Sequence, residues 1–354
     1  MEKSSLINIA QQIKQLQPFN IFVVTCFIAL KLQGQFSIHG TYDTYLASSL
    51  SQKDNLAFMV SHAALNQMDL NLFELEFRQE FKHLNLHFAP AMGSYMRRNY
   101  AQETFWRRNV YEAYAELKFQ DAKLAFGSFS SPYTQETPRG VDQLLYSRSL
   151  SAEYVPYYVA GLRYSQQFSE KFSAQLFLTN GWQRLHFTQV RPSIGALLQW
   201  KFDTWSLNWS HFYGDIAPRG KLTATSALNR WRYFQEFNAG FKQGNYEWQA
   251  CAYIGLQRSV ADTNAIKPDN NIWGQANLQL RKSFSNDWSL NARMEVFWDH
   301  QQVVSAWGPD LFTSISLGYI KQFGPVLQLG QEMRYFVGNE QQIPLLYTFL
   351  RLKF

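Results

Sequence analysis

Residues 193–210 read SIGALLQWKFDTWSLNWS. Ile194, Ala196, Leu198, Trp200 and Phe202 alternate with Gly195, Leu197, Gln199 and Lys201. After Asp203-Thr204 the alternation resumes, with Trp205, Leu207 and Trp209 set against Ser206, Asn208 and Ser210. Successive side chains on a strand point to opposite faces, so this is a hairpin with one greasy and one largely polar face. The same pattern recurs along the chain. It predicts strands at 36–47, 70–81, 84–96, 109–119, 123–131, 157–168, 172–182, 193–202, 205–213, 231–241, 246–256, 272–283, 288–298, 311–323, 326–336 and 344–354, sixteen in all.

Two regularities fall on these strands. Connections are short at 82–83, 120–122, 169–171, 203–204, 242–245, 284–287 and 324–325, and long everywhere else. Every second strand ends in, or is directly followed by, a phenylalanine: Phe81, Phe119, Phe168, Phe202, Phe241, Phe284, Phe323 and Phe354. All eight share the parity of the apolar face, and Phe172, Trp205, Tyr246 and Trp288 answer across the short turns. A membrane–water interface favours such a girdle, because an amphipathic ring sits well at headgroup level.

Composition narrows the class. Aromatics make up 17% of the 354 residues, as much as all charged residues together. A soluble domain carries about 25% charge. Mean hydropathy is −0.31, and after residue 30 no run approaches the roughly 20 apolar residues of a membrane helix, which excludes a polytopic helical protein. A hydrophobic content of 46% excludes disorder. The apolar faces of the sixteen strands carry two charges, Lys282 and Lys321, both beside short turns where a lysine can snorkel. The opposite faces carry Glu74, Glu76, Arg78, Glu112, Glu116, Arg163, Arg232, Glu236, Arg281, Arg293, Glu295, Glu332, Arg334 and Arg351. A soluble sandwich would bury its greasy faces in one core; a transmembrane barrel turns them to lipid and its polar faces to water. Girdle, strand length and even count select the barrel. The fold expected is an all-β, transmembrane antiparallel barrel of about 16 strands, with short periplasmic turns and long extracellular loops. A barrel of that size leaves an aqueous channel.

The first 34 residues read as an address. Lys3 and Lys14 precede the twelve-residue apolar block Phe19–Leu30, which KLQG follows. That is the order of a secretory signal peptide, and the block would reach only about 18 Å as a helix. Cleavage is expected after Gly34, leaving a barrel of residues 35–354 in the outer membrane. Cys26 leaves with the signal, so Cys251 stands alone and no intramolecular disulfide forms.

The stretch 123–182 resembles the OmpL-like beta-barrel porins of Gram-negative outer membranes. The residues that carry the likeness are Gly127, Phe129, Ser131 and Pro132, then Tyr146-Ser147-Arg148-Ser149, then Pro156-Tyr157-Tyr158 with Gly161 and Arg163, then Asn180-Gly181-Trp182. More distantly the stretch is similar to the phosphate-selective porins, though without their dense ladder of arginine and lysine. The resemblance implies a porin that lets small hydrophilic solutes diffuse passively, and by the habit of such porins a homotrimer. Phe354, in phase with Leu350 and Leu352, is similar to the signal read by the outer-membrane assembly machinery.

Loop 132–156 is the longest, at about 25 residues. By resemblance to general porins it enters the lumen as a constriction, where Glu136, Arg139, Asp142, Arg148 and Glu153 would supply both charge signs. The plainer alternative is a surface loop with solvated charges. Wall charges such as Glu74/Glu76/Arg78 or Arg293/Glu295 are expected to pair and stiffen the barrel. Lys3, Lys14 and Lys31 against Glu2 remove two of six net positive charges, leaving a formal +4 and at most a slight anion preference. Bulky inward residues (Phe177, Phe212, Phe234, Tyr253, Phe297, Phe312 and Phe349) keep open a plugged barrel that acts as a binding or complex-forming subunit. A barrel enzyme is the other rival, but no nucleophile–base set is apparent. His83 and His87, four residues apart on a strand, stand about 13 Å apart, too far to share a metal. Asp299-His300 has no nucleophile assigned beside it. No cofactor or metal is expected. The pI near 9.1 comes without a clustered basic run, so nucleic acid is not expected as a partner.

Overall fold

Alternating patterns of this kind become strands only if their backbone groups find partners, and in lipid every partner must lie within the protein. The computed structural model, which describes residues 34–52, 55–186, 191–215, 231–259, 269–300, 302–305, 311–338 and 341–354, meets that demand by closure. Its strands are β1 (Gln35–Ser48), β2 (Gln67–Glu80), β3 (Leu84–Met92), β4 (Val110–Lys118), β5 (Ala122–Ser130), β6 (Tyr158–Ser169), β7 (Phe172–Thr179) and β8 (Ser193–Lys201). There follow β9 (Trp205–Asp215), β10 (Trp231–Gln243), β11 (Tyr246–Ser259), β12 (Asp269–Ser283), β13 (Trp288–Trp298), β14 (Leu311–Phe323), β15 (Leu327–Gly338) and β16 (Gln341–Lys353). Each pairs antiparallel with its chain neighbours, and β1 pairs with β16 from Thr41↔Lys353 to Ser48↔Leu346. The sixteen-stranded closed barrel is therefore present.

The outer face is apolar. Leu280, Leu290, Met294, Ile315, Leu317 and Met333 are all exposed, as lipid-facing residues must be. Lys282 lies over the rings of Tyr246 and Phe284, and Lys321 reaches Asp287 at 3.4 Å, so the two outward lysines sit at the short-turn rim. Of the girdle, Phe119, Phe168, Phe202, Phe284, Phe323 and Phe354 are exposed; Phe81 and Phe241 are half-buried.

Two strand limits differ from the sequence expectation. β3 stops at Met92 rather than 96, because the pairing slips between Ala89 and Pro90 and a short helix, α1 (Ser94–Asn99), follows. Proline has no N–H for the ladder, which confines it to bulges and edges. The last outer connection is also shorter than expected. The sequence pattern ends one strand at 336 and starts the next at 344, yet β15 and β16 pair up to Gly338↔Gln341.

Two motif glycines face each other across the β5–β6 ladder. Gly127 and Gly161 have φ of +145° and +147° and are direct partners. A Cβ on either would come within 2.1 Å of a backbone oxygen, that of Ala113 or Leu178. Only glycine takes that backbone without strain.

Inside, the barrel is partly filled from the long-loop end. Residues 55–65 of the first long loop turn inward, and Phe58 packs on Phe336 and Phe312 with ring centroids 5.0 and 6.3 Å away. The connection between β5 and β6 goes deeper.

Candidate solute pathway and the loop inside the barrel

From Ser131 to Tyr157 the chain runs through the lumen, with contacts on β1, β2, β9–β13, β15 and β16. Tyr133 enters first and packs edge-on to Phe234 at 5.5 Å, while the backbone N–H of Thr134 donates to Glu236 on β10. Glu136 accepts from Gln279 of β12 and, at 2.7 Å, from the N–H of Ser149. Arg139 crosses to β2 and binds Glu74 in bidentate fashion, at 2.8 Å from Nε and 2.6 Å from Nη2. Asp142 reaches the short-turn end, where it meets Lys353 at 2.9 Å. The segment thus spans the barrel from one end to the other.

The motif Tyr146-Ser147-Arg148-Ser149 fastens the segment to the wall. The Tyr146 hydroxyl donates to Asp43 of β1 at 3.1 Å, and its ring stacks on Phe349 of β16 at 4.3 Å, with Arg351 4.5 Å above it. Burial, with the Asp43 carboxylate beside it, pushes the phenol well above its ordinary pKa and keeps it a donor. Ser147 gives both its N–H and its hydroxyl to Glu332, at 2.7 and 2.6 Å. Its carbonyl accepts from Arg293 at 2.6 Å, and the carbonyl of Arg148 accepts from Arg334 at 2.8 Å. Ser149 caps α2 (Leu150–Glu153), a single helical turn whose Leu150 N–H donates to Glu295 at 2.6 Å.

Under the loop, wall charges form one neutral cluster. Arg334 binds Glu295 at 2.5 Å, Arg293 lies 3.3 Å from Glu295 and 3.2 Å from Glu332, and Ser314 donates to Glu295 at 2.8 Å. Two arginines face two glutamates, all almost fully buried. Such groups persist away from water only when paired and hydrogen-bonded on most sides. Elsewhere the expected pairing along one strand occurs between Arg78 and Glu76, at 2.5 Å. Glu74 instead takes its partner from the loop. Arg163 pairs with Glu116 at 3.0 Å and Arg281 with Glu247 at 3.6 Å.

Among the five loop charges, Glu136, Arg148 and Glu153 are buried in contacts, while the side chains of Arg139 and Asp142 are 23% and 43% exposed. Glu153 accepts the N–H groups of Val60 and Ser61, tying the two inserted loops together. The loop charges are therefore spread along the traverse and do not form one facing ring. Asp43, which also lies 3.8 Å from Arg351 and accepts from Asn71 at 2.7 Å, was not among the expected wall residues. Its parity with Thr41 and Tyr45 on β1 marks it as inward. Glu103, which accepts from Tyr158 and Leu185, carries no such signal because it lies in a loop.

The space left by the loop lies along β4–β8 and at the long-loop mouth. A cavity of about 580 Å³ borders Glu116, Lys123, Arg163, Gln175 and Gln199 at the short-turn end. Another of about 470 Å³ opens at the long-loop end, beside Arg98, Arg184 and Arg232. His87 stands between Glu112, 2.7 Å from its Nε2, and Glu76, 3.5 Å from its Nδ1. One ligand atom from each lies within 4.8 Å of the others, but Arg78 and Arg139 already hold Glu76, and their charge opposes a metal. His83 stands in the β2–β3 turn, outside that group. Asp299 accepts the N–H groups of Val303, Val304 and Ser305, a structural use.

Comparison with known proteins agrees with this architecture. No curated protein matches the chain. Among solved structures, the outer-membrane channel DcaP of Acinetobacter baumannii is similar, with a TM-score of 0.64 at 10% identity over 92% of this chain and 98% of that one. The anion-selective porin from Comamonas acidovorans superposes with a TM-score of 0.59 at 9% identity, covering 91% and 100%. OmpT of Vibrio cholerae, in its trimer form, gives 0.60 at 10% identity over 91% and 100%. At these identities the likeness concerns the fold. The sequence profile of the family described as "Putative beta-barrel porin-2, OmpL-like" matches residues 30–344, nearly the whole chain. The chain belongs to that OmpL-like porin family and is an outer-membrane porin.

Proposed function

We propose that small hydrophilic solutes cross this porin along the β4–β8 side, past Arg139, while loop 132–156 narrows the rest of the lumen. The observation that carries this proposal is the seat of Ser147 on Glu332 and Arg293, which holds the loop against β13–β16 and leaves the water-reached charges on the other side. Selectivity then comes from Arg139, Glu74, Arg163, Glu116 and the mouth arginines rather than from Glu136, Arg148 or Glu153, which contribute to the loop's seat. With a formal +4 on residues 35–354, a slight anion preference follows. Opposed charges beside a narrow path set a local field that orients and filters solutes.

The export signal is removed after Gly34; residues 1–33 lie outside the described residues. The C-terminal strand ending at Phe354 is the segment presented to the outer-membrane assembly machinery. The functional unit is a homotrimer in outer-membrane lipid, a proposal supported by the trimer form of one structural neighbour. Single-channel recording on the refolded mature chain, with a salt-gradient reversal potential, tests the pathway. Discrete steady steps and a reversal potential of anion-selective sign are expected. A folded barrel that conducts nothing would sink the proposal.

A further inference from the structure

The cavity at the long-loop end is built unlike the rest of the lumen. Arg98, Arg184 and Arg232 line it, with Glu153 the only acid on its wall among the described residues, and that carboxylate already accepts the N–H groups of Val60 and Ser61. Elsewhere the almost fully buried arginines of the barrel wall, Arg293, Arg334 and Arg351, each face a carboxylate. Arg232 does not. It is 7% exposed, and its guanidinium lies over the rings of Trp182 at 4.5 Å and Trp273 at 5.0 Å. Nε and Nη2 share one acceptor, the side-chain oxygen of Gln257, at 3.1 and 2.5 Å. Among the described residues no carboxylate pairs with it.

Asp299 acts on Arg232 only from beyond ion-pair distance, and a buried cation against two rings with no carboxylate in contact carries a heavy desolvation penalty. The rings recover part of it through the cation–π attraction, which leaves the guanidinium edge for an anion. A second observation points the same way. Asn99, 3% exposed on the same cavity, has neither its side-chain oxygen nor its nitrogen hydrogen-bonded among the described residues. The rest of the lining mixes Trp182, Tyr154, Tyr157 and four valines with Gln102, Gln183 and Ala101. Such a cavity offers apolar walls beside placed polar groups that can fix a ligand's orientation.

We propose that this cavity is a recognition site for small organic anions, in which Arg232 supplies the counter-charge to a carboxylate and the valines and tyrosines of the lining receive the apolar body. Arg98 and Arg184 draw the anion to the mouth, and Asn99 offers a neutral donor and acceptor on the facing wall. The site deepens the porin assignment by naming the solute class that the channel concentrates at its outer mouth, so it rests on that assignment for its role in transport but not for binding itself.

Titration calorimetry of the detergent-refolded full barrel with benzoate, acetate, inorganic phosphate and benzylamine tests it. Benzoate is expected to bind at least ~10-fold more tightly than acetate or phosphate, and benzylamine not at all, because a charge contact and a ring contact are each needed. Arg232→Gln is expected to weaken benzoate ~10-fold or more, with Arg232→Lys between the two, since lysine keeps the charge but not the planar fork. If Arg232→Gln fails to fold, as judged by gel mobility with and without heating, the double variant Arg98→Gln/Arg184→Gln replaces it, with a loss of ~3-fold or more expected at low salt. No heat with benzoate, equal binding of benzoate and benzylamine, phosphate binding as tightly as benzoate, or a folded variant at wild-type affinity would each overturn the site. Potassium chloride conductance recorded without benzoate is a separate measurement. A conducting barrel that ignores benzoate overturns the site alone, and a barrel that binds benzoate but passes no current overturns the porin assignment alone.

Discussion

The ring of Phe354 lies in the notch that Gly40 leaves on the neighbouring strand. A Cβ on Gly40 would come within 2.2 Å of two ring carbons, and the two residues also exchange backbone hydrogen bonds, at 2.7 Å from Gly40 N and 3.0 Å from Phe354 N. The last residue of the chain therefore covers a bare stretch of β1 at the seam where the barrel closes. An aromatic laid over a strand glycine supplies the packing that the glycine lacks.

Filling that notch should weaken the seam. Gly40→Leu is expected to cost about 1–3 kcal/mol, the usual range for forced overpacking. Phe354→Ala, which removes the ring without pushing on β1, should cost less. Midpoints of urea unfolding in detergent, followed by tryptophan fluorescence, would check the order. A Gly40→Leu barrel as stable as the wild type would show that the ring can leave the notch freely.

Glu332 holds Ser147 twice and faces Arg293. Replacing it with alanine removes both loop bonds and leaves Arg293 with Glu295 alone, which Arg334 already shares. Breaking a buried charge cluster on one side costs about 3–5 kcal/mol. The same unfolding assay should register a loss of that size. A change within about 0.5 kcal/mol, the range of ordinary surface substitutions, would place Glu332 in water instead.

Deleting 134–150 removes the segment that fills the β13–β16 side. The charges beneath it then meet water rather than a void, so the barrel should still fold and single-channel conductance should rise by roughly twofold or more, because an empty sixteen-stranded barrel is an open channel. Unchanged conductance in a folded deletion variant would mean that the path never passed the loop.

Cys251 reports the same seat chemically. It is buried, and its sulfur lies 3.4 Å from the Ser151 hydroxyl. A bulky, charged maleimide added to the intact barrel should label it slowly. In the 134–150 deletion, labelling should quicken by an order of magnitude or more, since thiol reaction requires access. Equal rates, read by mass spectrometry over time, would show that the loop does not cover Cys251.

The barrel was legible because its signals are local. Strand parity is written two residues apart, and the phenylalanines that punctuate the short turns mark every second strand end. The pair Arg78–Glu76 could be anticipated for the same reason. Strand ends were less legible: the ladder carries β15 and β16 beyond their alternating stretches to Gly338↔Gln341, and the slip at Pro90 ends β3 early. The loop's partners were not legible. Ser147 finds Glu332 at a separation of 185 residues and Leu150 finds Glu295 at 145, and no periodicity encodes such distances. The family motif marked the segment as special without indicating what it holds.

Tyr146 bridges the joint between the first strand and the last. Its hydroxyl binds Asp43 on β1, its ring stacks on Phe349 of β16, and Asp43 stands opposite Arg351 in the ladder that joins those strands. The two halves of its seat are the first and last pieces of the barrel to be made, and they meet only when the cylinder shuts. Other anchors of the segment, such as Glu74 on β2, need no closed seam, but the seat of Tyr146 does. Docking of Tyr146 is thus a signal of completion, available only to a chain whose two ends have found each other.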